Sequence, residues 1–157
     1  MYEIIPAVTP AHIAAVRELM VEFADWLQVN LCFQGFQQEL AELPGKYAPP
    51  RGALLLAMNG EAPVGCVALR PLEGNVCEMK RLYVRPVAQG QHLGERLVNA
   101  IISEGRRLGY DAMRLDTLPG KMDKAIAIYR RAGFREIAPY YDNPYPVLFL
   151  ELDLMSG

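Results

Sequence analysis

The 157-residue sequence has few of the residues that bind metals or form disulfides, with three cysteines and two histidines. The cysteines, Cys32, Cys66 and Cys77, are odd in number and irregularly spaced, and no two of them form a CxxC pair. Zinc sites and disulfide frameworks are built from regularly spaced pairs, so we expect neither here. The cysteines are predicted to be buried free thiols of a protein in the reducing cytoplasm, and no metal site is predicted.

The sequence also lacks a charge excess and long apolar runs. Lysine and arginine total 16 against 18 aspartate and glutamate residues, a formal net charge of −2. This balance gives no general attraction to nucleic acid or to anionic lipid. No run approaches the ~18 apolar residues that cross a bilayer, and the N-terminus has no basic segment followed by an apolar one. We therefore predict a cytoplasmic protein with neither nucleic acid nor membrane as a partner.

Length and composition are typical of one globular domain. Domains usually run about 100–200 residues, and a chain of this size buries enough surface to fold without disulfides or metal. The sequence is 52% hydrophobic and 22% charged, without repeats or linker-like tracts. Residues 1–157 are therefore predicted to form a single domain.

Apolar residues at spacings of three and four predict four helices. Thr9 and Pro10 are typical of an N-cap and a first helical residue. Gly109 and Gly133 are each predicted to end a helix, since glycine readily takes the left-handed conformation found there. The predicted helices run from Pro10 to Leu27, from Phe36 to Leu43, from Leu93 to Leu108 and from about Asp123 to Ala132.

Extended segments between turn signals predict seven strands. The Asn59-Gly60 turn indicates that the second to fourth strands form an antiparallel meander. In the last strand four leucines alternate with Phe149, Glu151 and Asp153, which is typical of a half-buried edge strand. The order βααβββαβαββ predicts an α/β or α+β sandwich with helices on a mixed sheet. The predicted strands are Tyr2 to Ile5, Ala53 to Met58, Pro63 to Arg70, Val76 to Val84, Met113 to Asp116, Phe134 to Ala138 and Val147 to Leu154.

The segment from Glu78 to Leu97 joins a strand, a proline, a glycine-bearing turn and the start of a long helix. The first amides of a helix lack internal partners and lie at the positive end of its dipole, so this construction suits a phosphate group. Arg81, Arg85 and Arg96 can add positive charge locally. The segment is not GxGxxG, and the chain has no GxxxxGK[ST], which argues against dinucleotide and P-loop binding. On spacing alone, a tight turn followed by a helix cap is an equally good interpretation.

Two stretches together resemble the GNAT superfamily of N-acetyltransferases. Gln89-Gly-Gln-His-Leu-Gly94, preceded by Leu-Tyr-Val-Arg-Pro86, resembles its acetyl-CoA motif, Gln/Arg-x-x-Gly-x-Gly/Ala. Ala125-Ile-Ala-Ile-Tyr-Arg-Arg-Ala-Gly-Phe134 resembles its second signature, a helix with a tyrosine shortly before Gly-Phe. The element order is also similar, so the resemblance covers almost the whole chain. It implies a mostly antiparallel sheet of about seven strands flanked by about four helices.

The resemblance implies that acetyl-CoA contacts a loop and the strand before it. Backbone groups of Leu82 and Val84, on a strand splayed from its neighbour, would pair with the pantetheine arm. His92 stands where the family has its first motif glycine, and we expect its side chain to point outward. Met122 stands where many members have an asparagine. The implied coenzyme-binding residues are Leu82, Tyr83, Val84, Gln89, Gly90, Gln91, His92, Leu93, Gly94 and Glu95.

Acetyl transfer to an amine needs an acceptor for the amine's proton and a donor for the departing thiolate. The resemblance implies that Tyr129 is the donor, with a buried core aromatic as the alternative. Glu78 matches the general base of some members and is expected on the same strand face as Leu82. Its alternative is a surface carboxylate paired with Lys80 or Arg81. The amide of Leu82 would polarise the thioester carbonyl.

The acceptor site is predicted from aromatic and polar residues in the early helical region and in the loop before the last strand. A small cationic amine suits a tyrosine- and aspartate-bearing loop, although the loop can equally be a connection between strands. The candidate acceptor-binding residues are Phe33, Phe36, Tyr140, Tyr141 and Asn143.

These residues predict an N-acetyltransferase that moves an acetyl group from acetyl-CoA to a primary amine of a small molecule or peptide. The amine would attack directly in a ternary complex. A non-catalytic acyl-CoA-binding or sensor domain is the main alternative, motivated by His92 and Met122. A ligand-free structural domain and a cysteine-nucleophile enzyme are further alternatives. The sequence leaves open whether the protein forms a homodimer.

Overall fold

The computed structural model describes residues 1–28, 31 and 35–155 and has the predicted order βααβββαβαββ. Observed and predicted element bounds differ by at most one residue. The helices are α1 (Pro10–Leu27), α2 (Phe36–Glu42), α3 (Leu93–Arg107) and α4 (Asp123–Ala132). The strands are β1 (Tyr2–Pro6), β2 (Ala53–Asn59), β3 (Ala62–Pro71), β4 (Val76–Val84), β5 (Ala112–Thr117), β6 (Arg135–Ile137) and β7 (Leu148–Asp153). Within these described residues no helix is long and apolar enough to cross a membrane.

Local chemistry explains where the helices begin and end. The Thr9 hydroxyl accepts a hydrogen bond from the His12 amide at 3.1 Å and so caps α1, whose first residue is Pro10. Gly133, at φ +109°, ends α4 in the left-handed region. These caps are confirmed as predicted from single residues, because capping depends on only a few neighbouring groups.

The seven strands form one sheet in the order β1-β2-β3-β4-β5-β7-β6. Every pair is antiparallel except β4 and β5, which are parallel. The prediction that the last strand is an edge strand is wrong, since β7 lies between β5 and β6. Phe149, on the face opposite Leu150, is buried as well. Alternating leucines show that one face is buried, but they do not show which strands pair along the edges.

Hydrophobic clusters lie on both faces of the sheet. One cluster packs α3 and α4 against the strands and includes Leu97, Ile101 and Tyr129. The other packs α1 and α2 against the opposite face and includes Met20 and Phe36. The sheet is therefore the middle layer of a three-layer sandwich, and β4 contributes side chains to both clusters.

A β-bulge in β4 changes which face its later residues occupy. Cys66 on β3 opposes Tyr83, whereas Ala68 opposes Lys80, so β4 contains one extra residue here. Arg81 occupies the bulge at φ +63°. Leu82 consequently packs under α3 and α4 with Met79, whereas Tyr83 packs under α1 and α2.

The bulge contradicts one expectation about the catalytic strand. Glu78 alternates with Cys77 and Met79, which belong to the cluster of α3 and α4, so its side chain lies on the α1 and α2 face. Leu82 lies on the α3 and α4 face. Glu78 and Leu82 are thus on opposite faces. The predicted shared face assumes an unbroken period of two, and the extra residue shifts that period.

Candidate active site

Strands β4 and β5 separate after a short parallel ladder. Their pairing covers three residues of each strand and ends at Glu78 and Arg114, although both strands continue. The Arg85 amide donates to the Val64 carbonyl of β3 at 2.8 Å. The backbone groups of successive residues point alternately to the two edges of a strand. Since the Arg85 amide points to β3, the amide and carbonyl groups of Leu82 and Val84 point to the opposite edge, away from β3. The predicted splay is therefore present, and beyond Glu78 this edge of β4 is not paired with β5.

A cavity of about 70 Å³ occupies this space, which we call the β4–β5 gap. Tyr129 of α4 and Asn143 of the loop before β7 both line it. Burial, and secondarily the charge of Asp116, raise the pKa of Tyr129 well above its usual value. The phenol therefore keeps its proton over the ordinary pH range and is available as a donor. Its ring also packs edge-on against Phe134, with centroids 5.7 Å apart.

A groove of about 580 Å³ extends from the β4–β5 gap to the beginning of α3, and we call it the α3 groove. His92 is the N-cap of α3 and makes no side-chain capping bond, so the first helical amides are open to a ligand. Gly90, at φ +83°, provides a left-handed turn with open space beside its Cα. The predicted coenzyme residues that line the groove are Leu82, Tyr83, Val84, Gln89, Gly90, His92, Leu93, Gly94 and Glu95.

Three residues of this loop differ from one another in position and contacts. His92 takes φ +57° and its side chain is 86% exposed, so it points outward as expected and leaves the loop backbone free. Gln91 does not line the groove. The Gln89 side chain donates to the Val84 carbonyl at 3.1 Å, and this bond occupies one of the strand groups predicted to pair with a pantetheine arm.

The three arginines predicted to add charge to the loop are bonded elsewhere. Arg81 pairs with Glu39 of α2, Arg85 pairs with Glu22 of α1, and Arg96 donates to the Tyr2 carbonyl. That prediction is wrong, because the three side chains point away from the loop to partners on α2, α1 and β1. The groove's cationic residues come instead from the other lip, at and before α4. They are Lys121, Lys124 and Arg131.

A second cavity, of about 530 Å³, opens on the α2 side of β4, and we call it the side pocket. Two of the candidate acceptor residues, Tyr140 and Tyr141, line it, whereas Phe36 is buried in the core with the Arg81 guanidinium 5.2 Å above its ring. Phe33 lies outside the described residues. Among the charged residues of the pocket wall are Glu39, Glu42, Arg70, Glu73, Glu78, Lys80, Arg81 and Asp142.

Glu78 is a buried member of the side pocket wall, not a surface carboxylate. Its side chain is 1% exposed, its Oε1 accepts from Arg70 Nε at 2.9 Å, and Lys80 Nζ lies 4.0 Å away. The Tyr140 hydroxyl donates to Glu78 Oε2 at 2.6 Å. The carboxylate is therefore held by a strand neighbour and by the loop before β7.

Asp116 was not identified from the sequence as a site residue, although it lines the β4–β5 gap. The Tyr141 hydroxyl donates to its Oδ2 at 2.5 Å, and Asn143 donates to that hydroxyl at 2.8 Å. The loop before β7 is thus hydrogen-bonded to a carboxylate on each separating strand, Glu78 and Asp116. The sequence signal for Asp116 was its position as a charged residue at the end of a predicted strand.

Lys80 connects the cavities, since it lines both the β4–β5 gap and the side pocket. Burial, followed by repulsion from Arg81, lowers the pKa of its ammonium group despite the opposing charge of Glu78. The α3 groove and the gap in turn share Leu82 and Met122. The three cavities therefore adjoin one another through shared wall residues, from the start of α3 to the side pocket.

The described cysteines are unsuited to nucleophilic chemistry. Cys66 and Cys77 are buried free thiols. Burial raises the pKa of each to about 12, so the reactive thiolate is scarce at neutral pH.

Comparisons with known proteins agree with this geometry. The family model of the acetyltransferase (GNAT) family matches residues 16–134. An uncharacterised N-acetyltransferase of Schizosaccharomyces pombe is 40% identical over an alignment of 148 residues, and the match covers 92% of this chain and 90% of that protein. The fold and the sequence relatives define an acyl-CoA-dependent acetyltransferase. The chain belongs to the acetyltransferase (GNAT) family, so the family resemblance is confirmed.

Solved structures share the fold over nearly the whole chain. A GNAT-family acetyltransferase from Staphylococcus aureus Mu50 superposes with a TM-score of 0.82 at 21% identity, covering 98% of this chain and 99% of that one. An aminoglycoside 6′-N-acetyltransferase complexed with coenzyme A gives a TM-score of 0.72 at 15% identity, covering 98% and 97%. At these identities the likeness shows the fold alone, and it confirms the predicted seven-stranded architecture with four helices.

Proposed function

We propose that this protein transfers the acetyl group of acetyl-CoA to a primary amine of a small molecule or peptide, by direct attack in a ternary complex. The observation that carries the proposal is the β4–β5 gap, which adjoins the α3 groove on one side and the side pocket on the other. Two substrates that enter from separate cavities can meet there without a covalent enzyme intermediate.

The substrate acetyl-CoA fits the groove on chemical grounds. Its diphosphate suits the uncapped amides at the start of α3, with Lys121 and Lys124 on the opposite lip. Its pantetheine arm suits the open edge of β4, and the Leu82 amide is available to polarise the thioester carbonyl. The outward position of His92 removes one of the two reasons for favouring a non-catalytic binder.

In the proposed reaction the amine enters from the side pocket and its nitrogen attacks the thioester carbonyl carbon. A carboxylate takes the proton that the amine loses, and we assign this role to Glu78 because it lines that pocket. As the carbon–sulfur bond breaks, Tyr129 donates its proton to the departing thiolate. Solvent then restores both groups to their starting protonation states.

The decisive experiment is acetyl-CoA turnover across a panel of amines, amino acids and peptide N-termini, measured as thiol release and as acetylated product. We expect release that depends on a particular amine. Calorimetric binding of acetyl-CoA without turnover on any amine would favour the sensor alternative. No binding at all would favour a structural domain.

A further inference from the structure

Thr117, the last residue of β5, has a buried hydroxyl without a hydrogen-bond partner among the described residues. The residue is 4% exposed, and its Oγ1 atom is shielded from solvent. Buried hydroxyls in native proteins are nearly always paired, because an unpaired one loses its bonds to water and gains nothing in return. Because Thr117 lines a cavity, a group that enters this cavity can supply the partner.

The hydroxyl lies where the reacting thioester is expected. Thr117 lines the β4–β5 gap together with Tyr129 and Leu82. The parallel ladder ends with Glu78 opposite Arg114, and Thr117 lies three residues beyond Arg114 on β5, where the two strands have separated. The residue therefore lies across the gap from the strand segment assigned to the pantetheine arm.

Side-chain direction distinguishes the two faces of the gap. Met113 and Leu115, which alternate with the polar residues of β5, belong to the cluster under α3 and α4. Thr117 lies two residues after Leu115 on the same strand, so its side chain points to the same face of the sheet as Leu115. Tyr129 packs on this face. Glu78 lies on the opposite face, with the side pocket. The side pocket and the Thr117 hydroxyl thus lie on opposite faces of the sheet at the gap.

We propose that Thr117 is a catalytic residue whose hydroxyl donates a hydrogen bond to the sulfur of acetyl-CoA as the carbon–sulfur bond breaks. This inference rests on the proposed acetyl transfer. The amine nitrogen forms its bond to the carbonyl carbon, the electron pair of the carbon–sulfur bond moves to sulfur, and Tyr129 supplies the proton. Thr117 transfers no proton. Its hydrogen bond strengthens as negative charge develops on sulfur, so it stabilises the transition state more than the ground state.

The first test compares Thr117→Val with Thr117→Ser. Valine keeps the shape and removes the hydroxyl, and we expect kcat to fall about 10- to 100-fold with little change in the KM for acetyl-CoA. Serine keeps the hydroxyl and should retain kcat within about threefold, because only a methyl group is lost. In the unliganded protein Thr117→Val should melt at the same temperature as the wild type or higher, since an unpaired buried polar group is removed. Wild-type kcat in Thr117→Val would overturn the proposal, and so would a defect confined to the KM.

The second test needs no turnover. Coenzyme A is bound to each protein and its thiol is titrated by the ultraviolet absorbance of the thiolate. A donor to sulfur lowers the pKa of the bound thiol, so Thr117→Val should raise that pKa by about one unit relative to wild type and to Thr117→Ser. Identical titrations would overturn the proposal. If wild-type protein acetylates no amine, the proposed function fails, whereas this titration still decides whether Thr117 contacts the sulfur.

Discussion

The Arg81 guanidinium and the Glu39 carboxylate form a doubly hydrogen-bonded ion pair that joins the β4 bulge to α2. Arg81 Nη2 lies 2.7 Å from Glu39 Oε1, and Arg81 Nε lies 3.0 Å from Glu39 Oε2. The Tyr47 hydroxyl donates to the same Oε2 at 2.8 Å. The bulge thereby directs a buried arginine to the wall of the side pocket, where its charge is already neutralised.

We predict that Glu39→Gln lowers the free energy of unfolding by about 3 kcal/mol at neutral pH, since it leaves a buried guanidinium without its counter-charge. Burial by itself would raise the pKa of Glu39, but the hydrogen bonds and charge of Arg81 outweigh it and lower the pKa. A lowered carboxyl pKa contributes stability above the unfolded-state pKa, and this contribution is lost as pH falls through the folded-state pKa. The difference between wild type and variant should therefore shrink as the pH falls from neutrality into the acidic range.

Urea unfolding of both proteins across this pH range measures the difference. Glu42→Gln is the matched control, because Glu42 is exposed on the same helix and its loss should change stability by less than about 0.5 kcal/mol. A difference between wild type and Glu39→Gln that does not vary with pH would show that the carboxylate charge is not its source.

Tyr129→Phe should lower kcat about 100-fold and leave the KM for acetyl-CoA nearly unchanged, because only the proton donor to the thiolate is removed. The phenylalanine ring retains the edge contact with Phe134, so the fold should be preserved. The raised pKa of Tyr129 also implies that its ionisation does not limit the rate at ordinary pH. Steady-state kinetics of thiol release provide the measurement, and an unchanged kcat would remove Tyr129 from the mechanism.

Glu78→Gln should remove the acidic limb from the pH profile of kcat/KM, because a general base must be ionised to act. The matched control is Asp116→Asn, since Asp116 also accepts a hydrogen bond from a tyrosine of the loop before β7. The pH profile of this variant should keep its acidic limb. Both profiles are measured by thiol release over the range in which the protein stays folded. Loss of the limb in Asp116→Asn alone would transfer the role of base to Asp116.

Lys124→Ala should raise the KM for acetyl-CoA about two- to fivefold without changing the KM for the amine, since an exposed charge contributes modestly to phosphate binding. Arg130→Ala is its control, with an equal charge loss on α4 at a residue that does not line the α3 groove. The effect of Lys124→Ala should diminish as salt is added. Equal changes in both variants would point to a general effect of charge, not to a contact in the groove.

The order of the helices and strands could be predicted from the sequence because it depends on local patterns. Periodicity, caps and turn residues act over a few neighbours, and Thr9 and Gly133 show this directly. The turn and the helix start from Gln89 to Gly94 were predictable for the same reason, since they are continuous in the chain. The positive φ of His92 is compatible with histidine, which is one of the non-glycine residues found more often in the left-handed region.

The hydrogen bonds on the proposed acceptor side of the site could not be predicted in the same way. Tyr140 contacts Glu78 and Tyr141 contacts Asp116 across 62 and 25 residues respectively, so only the packing of the loop before β7 brings them together. The arginines were misassigned because their partners Glu39 and Glu22 lie on α2 and α1, far from the loop in sequence.

Sequence patterns were thus sufficient for the family, the order of the elements and the loop from Gln89 to Gly94 that we propose binds phosphate, because each depends on contiguous residues. The position of β7, the faces of Glu78 and Leu82, and the cationic lip of the α3 groove were decided by tertiary structure. One bulged residue at Arg81 reverses the alternation of every later side chain in β4, and the sequence contains no local signal for it. The same strand separation opens the cavity that Thr117 lines, and its buried hydroxyl has no hydrogen-bond partner among the described residues.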